Sequence, residues 1–253
     1  MIGSQPTLPL AHRLVCYDSV GSTNDEAKRL ARDGAAEDTV VWALEQTAGR
    51  GRRGRVWVSP RGNLYASLVL RPDCPPLQAA QLGFVAALAI GSGLSAIFPL
   101  LNGLSYKWPN DVLVNGRKIA GILLESEMIA ADKPTFLILG VGVNLASSPP
   151  LAENRATSIS EEGLGPVPPA AMIEEFCRHF CLWKRRWREQ GFAPVRTAWL
   201  ARAASHRELI QVRLESGPLH GRFLDIDDLG ALLLEDAEKQ HRISAGEVLL
   251  VNQ

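Results

Sequence analysis

"DVLVNGRKIAGILLESE", residues 111–127, decides how the sheet of this chain is built. Two apolar runs meet at Asn115-Gly116, the dipeptide that best tolerates the positive φ values of a two-residue hairpin turn. A tight hairpin joins antiparallel neighbours, whereas parallel strands need a crossover of a dozen or more residues. With such a hairpin near its centre, the chain is not a simple doubly wound α/β fold. The expectation is α+β: a mixed sheet with flanking helices. Working outward, "LSYKW" (104–108) leads into the hairpin as a strand. "TFLILGVGVNLA" (135–146) follows it, apolar on both faces and so covered on both. Upstream, "RLVCYDSV" (13–20), "DTVVWALEQ" (38–46) and "NLYASLVLR" (63–71) read as further strands. Between the first two, "GSTNDEAKRLARDG" (21–34) reads as a helix. Thr23 followed by Glu26 has capping-box spacing, Ala27, Leu30 and Ala31 form a stripe, and Gly34 stops it.

No charge occurs between Asp73 and Lys107, and "LGFVAALAIGSGLSAIFPLL" (82–101) is apolar enough to raise a membrane span. Gln78 and Gln81 open it, Gly91, Ser92, Gly93 and Ser95 interrupt it, and Pro99 closes it. The spacing instead predicts a small-residue helix over 77–98, buried against the sheet. Helices are predicted over about 169–204. There Ile173, Phe176, Cys177, Phe180, Lys184 and Trp187 follow helical spacing. That stripe makes Cys177-Arg-His179-Phe-Cys181 core rather than metal ligands, because a zinc site wants about four converging donors and no second pair exists. Neither zinc nor haem is expected. The four cysteines form no disulfide framework, and "MIGSQPTLPLAHR" is not a signal peptide, so a cytoplasmic protein with no membrane partner is expected.

Past residue 205 the pattern changes to short strands, "LIQVRLE", "HGRFLDI", "ALLLED" and "VLLVN", between Gly- and Asp-containing turns. This predicts a small β-barrel or sandwich over 205–253 behind a larger part over 1–204. The 253 residues carry 27 basic and 27 acidic side chains, a net charge of zero. Against that balance, "AGRGRRGRVW" (48–57) places Arg50, Arg52, Arg53 and Arg55 on one loop among Gly49, Gly51 and Gly54. Guanidinium groups and glycine amides aimed at one point suit a polyphosphate. The loop is no Walker motif, and the chain lacks the spread basic face of a nucleic-acid binder. In "YKWPNDVLVNGRKIAGI" (106–122), Lys107 and Lys118 flank the hairpin and can face one site, with Asn110 and Asp111 at a turn. Asp111 beside cations can hold Mg²⁺ or orient a ribose. Ser22, Thr23 and Asn24 stand at a helix start, where amides and hydroxyls are open to ligands. Gly140, Gly142 and Asn144 share one face of their strand, and glycines there mark close approach of a ligand.

In this order and spacing, GSTN, EQTAGRGRRGRVW, KWPNDVLVNGRKIAGILLE and GVGVNL closely resemble the biotin protein ligases, from about residue 13 to 190. The "GALLLED" region resembles that family's C-terminal barrel. The resemblance implies a class II synthetase-like catalytic domain over 1–204 and an SH3-like barrel over 205–253. It implies an enzyme that joins biotin and MgATP into biotinyl-5′-AMP, then transfers biotin to a lysine of a biotin carboxyl carrier protein. By the same resemblance Lys118 contacts the biotin carboxylate and later the adenylate phosphoryl oxygen, and Arg50 and Arg52 lie over biotin. Lys107 and Asp111 join them in the chemistry. Ser22, Thr23, Asn24 and Gln46 meet the ureido ring, with Gly49, Gly121 and Gly140 packing close and Trp57 and Ile122 as apolar wall. Arg52, Arg53, Arg55, Trp57, Lys107, Asn110, Asp111, Lys118 and Asn144 serve the nucleotide, and Asp111 is the Mg²⁺ candidate.

Two departures from the family stand out. The sequence begins close to the first strand, without room for the helix-turn-helix of some bacterial members, so no specific DNA binding is expected. "SSPPLAENRATSI" (147–159) keeps Arg155, Thr157 and Ser158 but has no tryptophan to cover adenine. Rival readings are a lipoate or octanoate ligase of the same fold, and a non-catalytic phosphate- or nucleic-acid-binding module. The sequence leaves monomer and homodimer both open.

Overall fold

The computed structural model describes residues 6–9, 12–128, 134–149 and 156–249. The order is β1 (Arg13–Tyr17), α1 (Thr23–Arg32), β2 (Thr39–Ala43), β3 (Leu64–Leu70), α2 (Pro76–Ala79), α3 (Leu82–Ile97), β4 (Leu104–Lys107), β5 (Asp111–Val114), β6 (Arg117–Met128) and β7 (Pro134–Val143). α4 (Pro169–Gln190) and α5 (Ala193–Leu200) follow, then β8 (Leu209–Leu214), β9 (Gly217–Ile226), β10 (Leu232–Glu235), β11 (Gln240–Ile243) and β12 (Glu247–Leu249). β1–β7 form one sheet in the order β1-β2-β3-β7-β6-β5-β4. Only β1 and β2 run parallel; every other neighbouring pair is antiparallel. The expected mixed sheet is therefore present. Its hairpin turns at Asn115 and Gly116, with φ of 50° and 72°.

Strand parity divides the sheet into two working faces. On β7, Leu137, Leu139, Val141 and Val143 belong to the main core under the helices, and on β3 so do Leu64, Ala66, Leu68 and Leu70. The alternate residues face the other way. Val69, Phe136 and Ile138 pack with Val41 against Ala27 and Ala31 of α1. Toward the end of the same face, Gly140 and Gly142 replace those large side chains: Asn24 at the start of α1 still lies over Gly140, and beyond it Trp57 rather than α1 stands over Gly142. A groove opens where the glycines begin.

α3 lies on the opposite side, pressed between the sheet and α4. Every residue from Leu82 to Gly91 is buried. A helix apolar on all sides belongs in such a middle layer, so the segment that resembles a membrane span is a core helix. Small residues let α4 approach: a Cβ on Gly93 would stand 3.3 Å from Glu175 Cβ and Met172 Cε. The single helix expected over 77–98 is broken in two at Ala80–Gln81. There Gln81 turns its side chain into the core, accepting from Trp187 Nε1 at 2.7 Å and donating to Asp228 O at 2.8 Å.

The stripe predicted on α4 is buried in full, Lys184 included. That ammonium lies 2.5 Å from Asp38 Oδ1. Cys177 sits in the core beside Phe180, and Cys181 lies 3.9 Å from the His12 ring. Among the described residues no cluster of three metal-ligating side chains exists.

β8–β12 form a second, antiparallel sheet in the order β11-β10-β9-β8-β12, consistent with an SH3-like barrel. β11, the polar edge strand Gln-His-Arg-Ile, is the one element here that the apolar pattern of the sequence does not reveal. The two sheets share one continuous core: Phe84, Trp108 and Trp199 pack in the same cluster as Phe223, Ile226 and Leu232. Trp108 Nε1 donates to Gly230 O at 3.0 Å across the junction.

Candidate functional site

The groove is a cavity of about 390 Å³, lined from α1, the arginine loop, β4–β7 and, at one end, Gly246 and Glu247 of the C-terminal sheet. Its floor is made by paired glycines. Gly121 of β6 stands opposite Gly142 of β7, and Leu123 opposite Gly140. The Trp57 indole lies in the space they leave. A Cβ on Gly142 would be 2.6 Å from that ring, and one on Gly121 would be 3.1 Å from it. Gly140 makes room instead for Asn24, whose Oδ1 would be 2.3 Å from an added Cβ. The Trp57 indole N–H is buried without a hydrogen-bond partner among the described residues. Ile122, expected as a wall residue, borders the cavity while belonging to the main core, and Leu123, opposite Gly140, is the β6 side chain on the glycine face.

At one end the groove is polar and neutral. Gln46 Oε1 accepts from both the Thr23 amide at 2.8 Å and the Thr23 hydroxyl at 3.0 Å, and its Nε2 donates to Ser59 Oγ at 2.9 Å. Ser67 Oγ lies 2.8 Å from Thr23 Oγ1 and 2.6 Å from Asn24 Oδ1. The capping box is not formed. Ser22 is the N-cap residue, Thr23 is the first residue of the helix, and no side chain caps it. Thr23 is drawn across the groove to Gln46 instead, and Glu26 accepts from Tyr17 Oη and Arg29. The buried Ser22 hydroxyl lines the cavity with no hydrogen-bond partner among the described residues.

At the other end the groove is cationic. Lys118 Nζ lies 2.5 Å from Asp111 Oδ1, and Lys107 Nζ lies 2.9 Å from Asp111 Oδ2. Register explains the convergence: Lys107 pairs with Asp111 across β4–β5, and a bulge after Val112 sets Lys118 opposite Leu113. Burial alone would push the Asp111 carboxyl up. The Lys118 and Lys107 ammonium groups outweigh it and hold the carboxyl below its usual range. Lys118 also lies 5.2 Å above the Trp57 ring. Both Asp111 oxygens are thus taken by lysines, so the donors present do not fit a protein-held metal at Asp111.

The arginine loop folds on itself. Arg50 bridges to Val56, and the turn Arg52–Gly54 places Arg53 and Gly54 at positive φ. Its four guanidiniums diverge. Arg50 pairs with Asp25 at 2.5 Å and stands 3.8 Å from Glu125. Glu125 also accepts from Asn24 at 2.6 Å and Lys28 at 2.8 Å. Arg55 reaches out to Glu247 of β12, at 2.6 Å for one of its two contacts. Arg52 turns inward, donating to Asn110 Oδ1 at 3.1 Å and Gly246 O at 3.4 Å. Burial and the neighbouring Arg53 lower the Arg52 pKa. Arg53 is exposed at the cavity edge.

Three residues expected to meet ligand have framework duties here. Asn24 is held at both ends by Ser67 and Glu125. Asn110 donates to Ile122 O at 2.6 Å while accepting from Arg52. Asn144 donates to Thr157 O at 3.0 Å. Arg155 lies outside the described residues, while Thr157 and Ser158 are fully buried. Sequence reasoning missed Ser59, Ser67, Glu125, Gly246 and Glu247. Glu125 closes the quoted motif ILLE, its only local signal; the others join the site through distant strands.

Comparisons with known proteins agree with this arrangement. A profile of the Biotin/lipoate A/B protein ligase family matches residues 23–201, and one of the Biotin protein ligase C terminal domain matches 209–251. The chain is 45% identical over 232 residues to a biotin–[acetyl-CoA-carboxylase] ligase of Paracoccus denitrificans, covering 90% of this chain and 96% of that one. It is 35% identical to a bifunctional ligase/repressor of Bacillus spizizenii, covering 95% of this chain and 75% of the relative. Among solved structures, the biotin protein ligase from Aquifex aeolicus in complex with biotin and ATP superposes with a TM-score of 0.81 at 27% identity, covering 95% and 99% of the two chains. A groove with a neutral polar end and a cationic end, on this sheet and with these relatives, places the chain in the biotin/lipoate protein ligase family, among its biotin protein ligases.

Proposed function

We infer that this chain is an ATP-dependent biotin protein ligase that forms biotinyl-5′-AMP and passes biotin to a lysine of a biotin carboxyl carrier protein. The observation that carries the reading is the polarity of the one groove: Ser22, Thr23 and Gln46 at its neutral end, and Lys107, Lys118 and Arg52 at its cationic end. A ureido ring needs hydrogen-bonding partners at a fixed spot, and the Ser22 hydroxyl is free to serve. The valeryl chain would lie along Leu123 and Trp57, which brings the carboxylate to Lys118.

In the first step a carboxylate oxygen attacks the α-phosphorus, and the bond to pyrophosphate breaks. Two anions must meet, so the barrier is chiefly electrostatic and positional. Lys107 and Lys118 share one carboxylate, and Arg52 and Arg53 have no carboxylate partner among the described residues. The groove therefore keeps excess positive charge for the phosphates. Mg²⁺ would enter on the phosphates of ATP rather than on Asp111. In the second step the carrier lysine attacks the acyl carbon, and AMP leaves. The work divides between a catalytic unit over 1–204 and a barrel over 205–253 that contributes Gly246 and Glu247 to the rim. A cytoplasmic setting, where carrier proteins and ATP meet, fits this chemistry.

The test is exchange of labelled pyrophosphate into ATP, with biotin, lipoate or octanoate supplied separately. Exchange that depends on biotin supports the reading. Exchange with lipoate or octanoate only would keep the acyl-adenylate chemistry and change the substrate, and no exchange with any would sink it.

A further inference from the structure

Glu162 lies outside the groove, in the segment after Thr157, yet its carboxylate is deeply buried, with 5% of the side chain exposed. It has three donors. Arg117 Nη2 donates at 2.8 Å and Thr157 Oγ1 at 2.7 Å to Oε1, and Asn115 Nδ2 donates at 2.7 Å to Oε2. Each donor belongs to a part that holds Lys118. Asn115 and Arg117 are the tip of the hairpin, and Arg117 is the residue immediately before Lys118 in β6. Thr157 donates its backbone N–H to Lys118 O at 2.9 Å, and its own carbonyl accepts from Asn144. Asn144 N in turn donates to Ile119 O at 2.8 Å. The backbone on both sides of Lys118 is therefore tied to elements that converge on one carboxylate.

This clamp matters because Lys118 leaves its strand at an irregular point. The β5–β6 register shifts between Val112 and Leu113, so the pairing that aims Lys118 at Asp111, Leu113 with Lys118 and Val114 with Arg117, is only the short end of the ladder between the bulge and the turn, and it needs support from outside the sheet. We propose that Glu162 is a positioning residue for Lys118: by locking the hairpin tip and Thr157 together, it holds the ammonium over Asp111 and Trp57, where the acyl phosphate forms. The inference rests on the proposed role of Lys118. Glu162 touches neither substrate nor reacting atoms, and the buried carboxylate supplies the fixed anchor that a flexible lysine at a bulge lacks.

A double-mutant cycle separates positioning from general support. Biotin-dependent pyrophosphate exchange is measured for wild type, Glu162→Gln, Lys118→Ala and the double variant, with the melting temperature of each. Glu162→Gln keeps one acceptor oxygen and removes the charge, so it is the variant expected to fold; Glu162→Ala is the stronger version. The expected result is a loss of kcat of about tenfold or more in Glu162→Gln, since small misplacements of a reacting group carry penalties of this size. The KM for biotin should stay within about twofold. On the Lys118→Ala background the same substitution should cause no further loss. If the Glu162→Gln loss is undiminished on that background, Glu162 acts generally and the proposal falls alone. If Lys118→Ala exchanges pyrophosphate like wild type, the role of Lys118 falls, and this inference with it.

Discussion

Asp111 and His12 show how single buried charges are settled in this fold. Asp111 is 8% exposed and pairs with two lysines at once, offsetting one of their two charges. Replacing it by Asn would leave Lys107 and Lys118 facing each other with no anion. The expected cost is on the order of 2 kcal/mol of stability and a fall of about 100-fold in adenylate formation, checked by urea unfolding and pyrophosphate exchange. Because its folded-state pKa lies below 3.8, the stabilisation from Asp111 is present above that pH and is lost as pH falls through the lower folded value.

His12 runs the other way for a histidine. Burial, the largest influence, lowers its pKa below 6.5; Asp38 opposes this and Lys184 adds to it. The unfolded chain therefore takes up a proton at a pH where the folded one does not. Stability should be full above pH 6.5 and decline as the solution is acidified toward the folded value. Melting temperatures from about pH 8 to about pH 5 should show this slope in wild type and a shallower one in His12→Gln. An unchanged slope in the variant would assign the pH dependence elsewhere.

At the scale of elements, the groove exists because β6 and β7 give up side chains in register. Gly142→Ala would drive a methyl group to 2.6 Å from the Trp57 indole, which must then leave its place. The biotin KM should rise about tenfold or more, read by exchange kinetics against biotin concentration. Gly83→Ala is the matching control on α3, where an added Cβ meets only the flexible end of Leu124 at 3.3 Å. Within a helix that change should shift stability by no more than about 1 kcal/mol, toward greater stability if Leu124 gives way. Equal effects on biotin binding from both variants would mean the glycines matter through backbone entropy rather than through space for Trp57.

At the scale of the whole molecule, the C-terminal sheet belongs to the same cooperative structure as the larger one. One apolar cluster runs through both, and Arg196 reaches from α5 to Ile226 O and Asp225. Calorimetry should show a single unfolding transition whose van't Hoff and calorimetric enthalpies agree; two transitions would contradict a shared core. Glu247 adds a lighter link, pinning Arg55 of the arginine loop to β12. The Arg55 guanidinium holds the Glu247 carboxyl below its usual range. Glu247→Ala should leave the single transition intact while tryptic cleavage between residues 50 and 55 becomes severalfold faster, because such a partly exposed pair contributes roughly 1 kcal/mol or less to global stability.

The sequence by itself determined what depends on near neighbours along the chain. Asn115-Gly116 is a strong hairpin signal and does turn the hairpin, the alternation of Gly140 and Gly142 put them on one face of β7, with Asn144 just past its end, and the α4 stripe showed its buried side down to Lys184. Turn chemistry and side-chain period are local, so they can be read without knowing the fold. The motif set also carried the family. Tertiary structure decided partnership. Thr23 has the right spacing to cap α1, yet Gln46 and Ser67, both more than twenty residues away, claim its hydroxyl. Arg50, Arg52 and Arg55 look equivalent in the loop, yet Asp25, Asn110 and Glu247 send them in three directions. Glu162 carries no motif at all and becomes the anchor of Lys118 only when the hairpin tip and Thr157 close around it. A charged or hydroxyl side chain can satisfy itself in many ways locally; which partner it takes is set by the distant strands that burial brings within 3 Å or so.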